Sequence, residues 1–306
     1  MAEIKVGTGQ EYTSLQAAIN AAADGDKIVL TESITEESIS IDGKDIAIDL
    51  GGFTFTGKTY IKNGADVVIS NGKMTVAGNS PAFDDAVIKV MDGEVEVEGV
   101  KTVVPTSLEL NGVEVDGGEA VNSRYYTNAV TYNATGGLKV TDCTITAGMA
   151  TRNADCENIG TFSSGASGIY APNKSGGKIE IVNSTINGGY GKTDAEWTGF
   201  VSQLFTNGGY GISLHGTSEV TITDSTVNGG GSNWYNAGVA INVSNQFSGT
   251  LDVADSAVTG GKAEGQVGNY GQGGAGIYTN IRTGLTGTGQ LRQRDDRSID
   301  LSGQSL

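Results

Sequence analysis

The chain has 306 residues, and 48 of them are glycine, about 16% against a usual share of about 7%. Proline supplies only three residues and no Gly-X-Y period exists, which excludes collagen and proline-rich disorder. Hydrophobic residues make up 37% of the chain in short packets, no run approaches the roughly 20 residues that span a bilayer, and the net charge is −16. Residues 1–120 hold 8 lysines and no arginine against 21 carboxylates. Such a chain has no basic footprint for nucleic acid and is not expected to insert into a membrane.

The N-terminus, Met1-Ala2-Glu3-Ile4-Lys5-Val6, lacks a charged-then-apolar leader pattern. If this is the whole gene product, folding is expected in a cytoplasm. Thr13-Ser-Leu-Gln16 reads as a capping box, and Leu15, Ala18, Ile19 and Ala22 fall on one helical face. Gly25 stops this helix, and Asp26-Lys-Ile-Val-Leu30 begins a strand. Residues 1–25 are thus expected to form a strand and a short helix that covers one end of residues 26–281.

Within 26–281 one unit recurs. Leu138-Lys-Val-Thr-Asp-Cys-Thr-Ile145, Ile179-Glu-Ile-Val-Asn-Ser-Thr-Ile186, Val220-Thr-Ile-Thr-Asp-Ser-Thr-Val227 and Leu251-Asp-Val-Ala-Asp-Ser-Ala-Val258 align without gaps. Each is followed within one residue by Ala-Gly or Gly-Gly. Looser copies start at Ile46, Val67, Val95 and Leu108. Positions 1 and 3 alternate apolar with polar, as in a strand with one buried face. Asp or Asn at position 5 tolerates the left-handed conformation, so the chain bends there and position 8 returns inward. Such a unit cannot bury its own apolar face, whereas a stack of them can.

A second packet precedes many of the repeats: Gly168-Ile-Tyr-Ala171, Gly211-Ile-Ser-Leu214, Gly238-Val-Ala-Ile241 and Gly276-Ile-Tyr-Thr279. Two or three short strands per turn make an all-β, right-handed, single-stranded parallel β-helix with an N-terminal capping helix. Ile46 and Val67 lie 21 residues apart, a bare turn, and the steps of 31 and 41 residues contain excursions. The 13 residues from Val95 to Leu108 are too few for a turn, so one of these two lies on another face.

Excursions at 149–167, 190–210, 229–237 and 262–275 carry much of the aromatic content. Trp197, Phe200, Phe205, Trp234 and Tyr235 are the candidate binding residues. Their rings can pin loops to the wall, anchor a neighbouring subunit or stack on sugar. Residues 282–306 read as a tail in which Ile299-Asp-Leu-Ser-Gly303-Gln-Ser-Leu306 repeats the apolar pattern. Arg292, Arg294 and Arg297 are candidates for contact with another subunit. Cys143 and Cys156 are too few for a disulfide framework, and Cys143 is expected as a buried thiol.

The stretch Tyr12-Thr-Ser-Leu-Gln-Ala-Ala-Ile-Asn-Ala-Ala-Ala-Asp-Gly-Asp-Lys-Ile-Val-Leu30 resembles the opening of pectin-lyase-like right-handed β-helix proteins, and the clean repeats resemble their later turns. That resemblance implies the fold. It leaves activity open among lyases, hydrolases, adhesins and bacteriophage spikes. In style the chain is most similar to phage virion β-helices. The implied roles are a spike, fibre or capsid decoration in the virion, as a homo-oligomer or with other virion subunits and with host-surface glycan as a further partner.

Catalytic residues are not assigned. The lone histidine stands in Ser213-Leu-His-Gly216 and points outward by alternation, without the paired aspartates of pectinase-type hydrolases. Arg124 and Arg152 are expected in loops, where a lyase would need a base beside calcium-holding carboxylates. Outward Glu94, Glu96 and Glu98 could present two carboxylates at glycosidase spacing, as any acidic strand does. Asp142, Asn183, Asp224 and Asp255 are expected to form a ladder of bends, and neither metal nor cofactor is expected. A carbohydrate-active tailspike and a bacterial surface adhesin remain the alternatives.

Overall fold

The apolar residues at positions 1 and 3 of the repeat form strands, and those strands lie in register on one another. A computed structural model describes residues 2–77, 85–121, 126–153, 166–193, 207–233, 236–264, 273–279 and 290–294. These residues are nearly all β. They comprise one helix, one large parallel sheet of 22 strands, a three-stranded parallel sheet and a two-stranded antiparallel hairpin. The arrangement is consistent with a parallel β-helix.

Three columns of strands run through the large sheet. In the first, Ile46 pairs with Val67, Val67 with Leu108, Leu108 with Leu138, Leu138 with Ile179, Ile179 with Val220, and Val220 with Leu251. All the repeat starts read from the sequence except Val95 therefore stack residue on residue. The second column follows the bend: Thr144–Thr146, Thr185–Asn187, Thr226–Asn228 and Ala257–Thr259. The third contains Asn128–Asn133, Ile169–Ala171, Ile212–Leu214, Ile241–Val243 and Ile277–Thr279. Apolar side chains from all three columns meet in one core, which includes Leu138, Ile181, Ile186, Ile212 and Ile241.

Between columns one and two the chain turns on Asp142, Asn183, Asp224 and Asp255, all left-handed with φ of 55°, 47°, 51° and 48°. Asx side chains suit this conformation because they are short and can bond locally. The next residue points inward and satisfies the corner. Ser225 Oγ accepts from Ser184 N at 3.1 Å and donates to Thr223 O at 2.7 Å, and Ser256 Oγ does the same for Ser225 N. Cys143 occupies this position in its own repeat, with Sγ 3.1 Å from Thr141 O and 3.4 Å from Val113 N. It is a free, buried thiol, as expected.

The helix spans Leu15–Ala21 and buries Leu15, Ala18 and Ile19. Its cap is Ser14, one residue later than the capping box placed it, and Ser14 accepts from Ala17 N. Gln16 serves tertiary structure instead, bonding the backbone of Ser40. Glu36 receives the first free N–H group of the helix, that of Leu15. Lys44 Nζ bonds the carbonyls of Ile19, Asn20 and Ala22 at the other end. Opposite charges thus sit at the two ends of the helix dipole.

Val95 departs from the reading as a repeat. Gly93–Val97 and Val100–Val104 pair antiparallel across Glu98-Gly99, whose φ values of 52° and 79° fit a two-residue hairpin turn. The alternation of Val with Glu mimics the repeat, yet Val95 and Val100 are exposed. The packet Gly238-Val-Ala-Ile241 shifts by two residues, since Ile241 pairs with Ile212 and with Ile277. Met149–Arg152 is a strand of the small parallel sheet, so Arg152 lies in a strand and is buried rather than in a loop.

The displaced Gly238 marks a further constraint. In later repeats the chain leaves column two at Gly189, Gly230 and Gly261 and returns to column three at Gly209, Gly238 and Gly274. Leaving and returning backbones alternate in one hydrogen-bonded series. Gly209 N donates to Gly189 O, Gly230 N to Gly209 O, Gly238 N to Gly230 O, Gly261 N to Gly238 O and Gly274 N to Gly261 O, at 2.7–2.9 Å. Successive strands stand about 4.8 Å apart, and two segments per repeat must pass here. A Cβ on Gly230 would overlap the Gly189 carbonyl, and one on Gly238 the Gly209 carbonyl. Only glycine fits.

Two outcomes follow. Gly230→Ala is expected to lower stability by about 3 kcal/mol or more, whereas Gly137→Ala, with nothing within 4 Å of the added carbon, leaves the urea midpoint within a few tenths of a molar of the parent. Ser225→Ala strands the buried Ser184 N–H and is expected to cost about 1–3 kcal/mol. Ser225→Cys recovers part of that loss in the same unfolding measurement, because Cys143 already fills this position.

Candidate functional site

In chain order each strand of the small sheet, or its continuation, comes between column two and a strand of column three. The small sheet stacks Glu119–Val121, Met149–Arg152 and Gly191–Thr193, and bridges carry it on through Ser232 to Ala263. The ends of these excursions therefore lie along a single face. In the last three repeats the glycine series fixes where these ends stand.

Beside the necks of the last three repeats is a cleft of about 290 Å³, lined by Asn207, Tyr210, Asn236, Val239, Asn242 and Tyr278 among others. Among the described residues none that lines it carries a formal charge. Asn207 Oδ1 is buried without a hydrogen-bond partner among the described residues. Burial, followed by the influence of Tyr278, pushes the Tyr210 phenol above its ordinary pKa, so it stays protonated and able to donate.

Asn242 is oriented from below. Its Nδ2 donates to Ser213 Oγ at 3.2 Å, and Ser213 Oγ lies 3.1 Å from His215 Nε2. The His215 ring meets Tyr170 edge-on, with centroids 5.5 Å apart. Burial holds His215 below its ordinary 6.5 and favours the neutral ring. With Asn242 donating to it, the Ser213 hydroxyl is free to donate onward to a neutral Nε2. Tyr170, Ser213, Asn242 and Tyr278 occupy matching positions on consecutive strands, so this polar chain runs along column three.

A second, shallower groove of about 400 Å³ follows the bends past Gly72, Gly112, Glu114 and Asp142. Its charges are engaged: Lys73 bridges Glu114 and Asp116 at 2.8 and 2.9 Å, and Asp142 accepts from Asn183. Among the described residues no three His, Cys, Asp or Glu side chains converge as a metal site.

Of the residues singled out in the sequence, Trp197, Phe200, Phe205, Trp234, Tyr235 and Arg297 lie outside the described residues, as does Cys156. Phe205 precedes Asn207 by two positions and Tyr235 immediately precedes Asn236. Arg292 and Arg294 belong to strand Gln290–Arg294, which pairs with Thr250–Ala254 in the chain's own sheet. Glu94, Glu96 and Glu98 sit on the hairpin instead of the main sheet, and Glu94 pairs with Lys101. His215 is outward-facing, as alternation requires, but half-buried. Asn207, Asn236, Asn242 and Tyr278 were missed, because nothing local distinguishes them from other polar loop residues or from the outward residues of a strand.

No protein-family profile and no curated protein matches the chain. Among solved structures, the Siphovirus 9NA tailspike receptor binding domain is 11% identical, with 99% of this chain and 78% of that chain covered at a TM-score of 0.15. An overlay that poor bears no weight. Among the described residues no helix is long and apolar enough to cross a membrane.

The histidine has a measurable signature. Its pKa is lower in the folded chain than in the unfolded one, so its contribution to stability is intact above about pH 6.5 and declines below it. Glu109, held below its ordinary value by the Lys139 ammonium, acts only further down, through the carboxylate range. In thermal melts from pH 7.5 to 3, His215→Gln should flatten the fall between pH 6.5 and 5 and leave the fall below pH 4 in place.

Proposed function

We propose that this chain is a non-enzymatic bacteriophage virion protein: a capsid decoration, fibre or spike subunit built as a right-handed, single-stranded parallel β-helix. It acts as a stiff support that holds loops against a neighbouring subunit or the host surface. The observation that carries this reading is the alignment of the excursion ends along one face. An in-register stack is stiff along its length, and loops of different size can leave it from a common line without disturbing the core. The resemblance of residues 12–30 and of the repeats to phage β-helices supports the virion assignment.

The partners in this reading are further copies of the chain or other virion subunits, with Arg292, Arg294 and Arg297 meeting a neighbour at the C-terminal end. The amide and phenol groups of the cleft favour a second role in binding, since they donate and accept hydrogen bonds without taking up charge near neutrality. Antibody raised against the purified chain tests the assignment on particles from a lysate of the source culture. Label on intact particles in electron microscopy is the expected result. Label on the cell envelope alone would replace the reading with an adhesin, and release of reducing ends from host polysaccharide would replace it with an enzyme.

A further inference from the structure

We propose that the hairpin of residues 93–104 is a docking edge for an extended, basic segment of another protein, which adds as a third strand along Gly93–Val97. The inference goes beyond the virion reading and does not rest on it. The hairpin stands where the chain passes from column three to column one, away from the necks between columns two and three. Its two strands pair with each other and with no other strand among the described residues. A two-stranded ribbon by itself is marginally stable in water, and a third strand completes it. The turns at the same corner in the neighbouring repeats, 63–65 and 134–136, are described and supply no such strand. The base of the hairpin is held: Asp92 accepts from Thr106 N at 2.9 Å and from Thr135 N and Oγ1 at 2.9 and 2.8 Å.

The turn fixes which backbone groups are available. Glu98 and Gly99 form a two-residue hairpin turn, which Val97 and Val100 close by hydrogen bonding. Bonded and non-bonded pairs alternate from there. The N–H and C=O groups of Glu94 and Glu96 therefore point away from the hairpin along one edge, and those of Lys101 and Val103 along the other. None of the four has a backbone partner among the described residues. The register runs through all five pairs without a bulge. A regular edge of this kind is a template for a strand from another chain.

The side chains specify the occupant. Val95, Val100 and Val103 are 49%, 64% and 49% exposed, so the ribbon offers apolar surface with nothing described on it. Val95 lies on one face, and Val103 shares the other with Glu94, Glu96 and Lys101. Lys101 pairs with Glu94 at 3.2 Å, which leaves Glu96 and Glu98 without an ion pair among the described residues. A strand laid along Gly93–Val97 sets its own side chains beside Glu94 and Glu96, where opposite charges stabilise and like charges repel. Lysine or arginine at alternate positions answers the two carboxylates, and an apolar residue between them meets the face of Val95. A second copy fits this edge poorly, because it brings the same two glutamates against Glu94 and Glu96.

The test measures binding of labelled synthetic peptides to the full chain by fluorescence anisotropy. The probe alternates lysine with valine; its controls are the same peptide fully N-methylated and a glutamate–valine counterpart. The probe is expected to bind, and both controls about tenfold or more weakly. Glu96→Pro removes an outward donor and spares the hairpin's own bonds, so affinity should fall about tenfold or more with the melting temperature unchanged. Lys101→Pro makes the matching change on the opposite edge and should keep affinity within about twofold. Glu96→Lys, which leaves the backbone untouched, should also weaken binding about tenfold or more, so the test stays decisive if a proline variant misfolds. Any of four results would overturn the proposal. The probe fails to bind; the N-methylated peptide binds equally, which reduces the attraction to net charge; or Lys101→Pro loses as much as Glu96→Pro. The fourth is a dimer of the chain that Glu96→Pro dissolves, which makes the occupant a second copy. Labelling of particles reads location and is independent of these outcomes.

Discussion

A strand that bends onto another strand has an apolar face it cannot cover by itself, and everything in this chain depends on covering it with the next copy. Parallel, in-register stacking does so by placing like over like. Isoleucine and valine positions then form continuous inner rows, and the serine that satisfies one corner bonds the backbone of the corner beside it. Like-over-like stacking also puts carboxylates near carboxylates. The outer faces answer with lysines set one repeat away, as in Lys139 with Glu109 and Lys27 with Asp49. Each such exposed pair contributes about 0–1 kcal/mol, enough to ease local repulsion without holding the stack together.

Column two cannot simply run into column three in the later repeats, because an excursion intervenes. The solution is a line of glycine backbones packed where side chains would otherwise stand. It removes any Cβ from the crossing, satisfies the backbone groups of both segments and confines every neck to one side. The high glycine content follows from this geometry more than from flexibility. It also lets the chain between a leaving and a returning glycine differ in length, with Gly238 eight positions after Gly230 and Gly209 twenty after Gly189, without shifting the register of the strands.

The cleft is a product of the same arrangement. Asn207 precedes the neck at Gly209 and Asn236 the neck at Gly238, Tyr210 follows Gly209, and Asn242 and Tyr278 come from column three. Among the described residues their meeting sets an uncharged, amide-rich surface into an acidic chain. Burial of the half-buried histidine beneath it favours the uncharged ring, so the polar chain leading to Asn242 runs through neutral groups.

Period-two alternation and the left-handed preference of Asx made the repeat legible, because both act within eight residues and recur unchanged. That was sufficient to derive the all-β class, the inward face, the bends and the alignment of six repeat starts, with Val95 and Leu108 left as alternatives for a seventh. The same local signal misled at Val95, where Val alternating with Glu satisfies a solvent-facing hairpin as well as a stacked strand. It misled again at Gly238, where a shift of two residues preserves which side chains point inward. Only the tertiary structure decided those registers: Val95 pairs with Thr102, seven positions on, and Ile241 with Ile212, 29 positions back. It alone also brought Asn207, Tyr210, Asn236, Asn242 and Tyr278 together, because a site assembled from three repeats has no spacing that a single repeat can display.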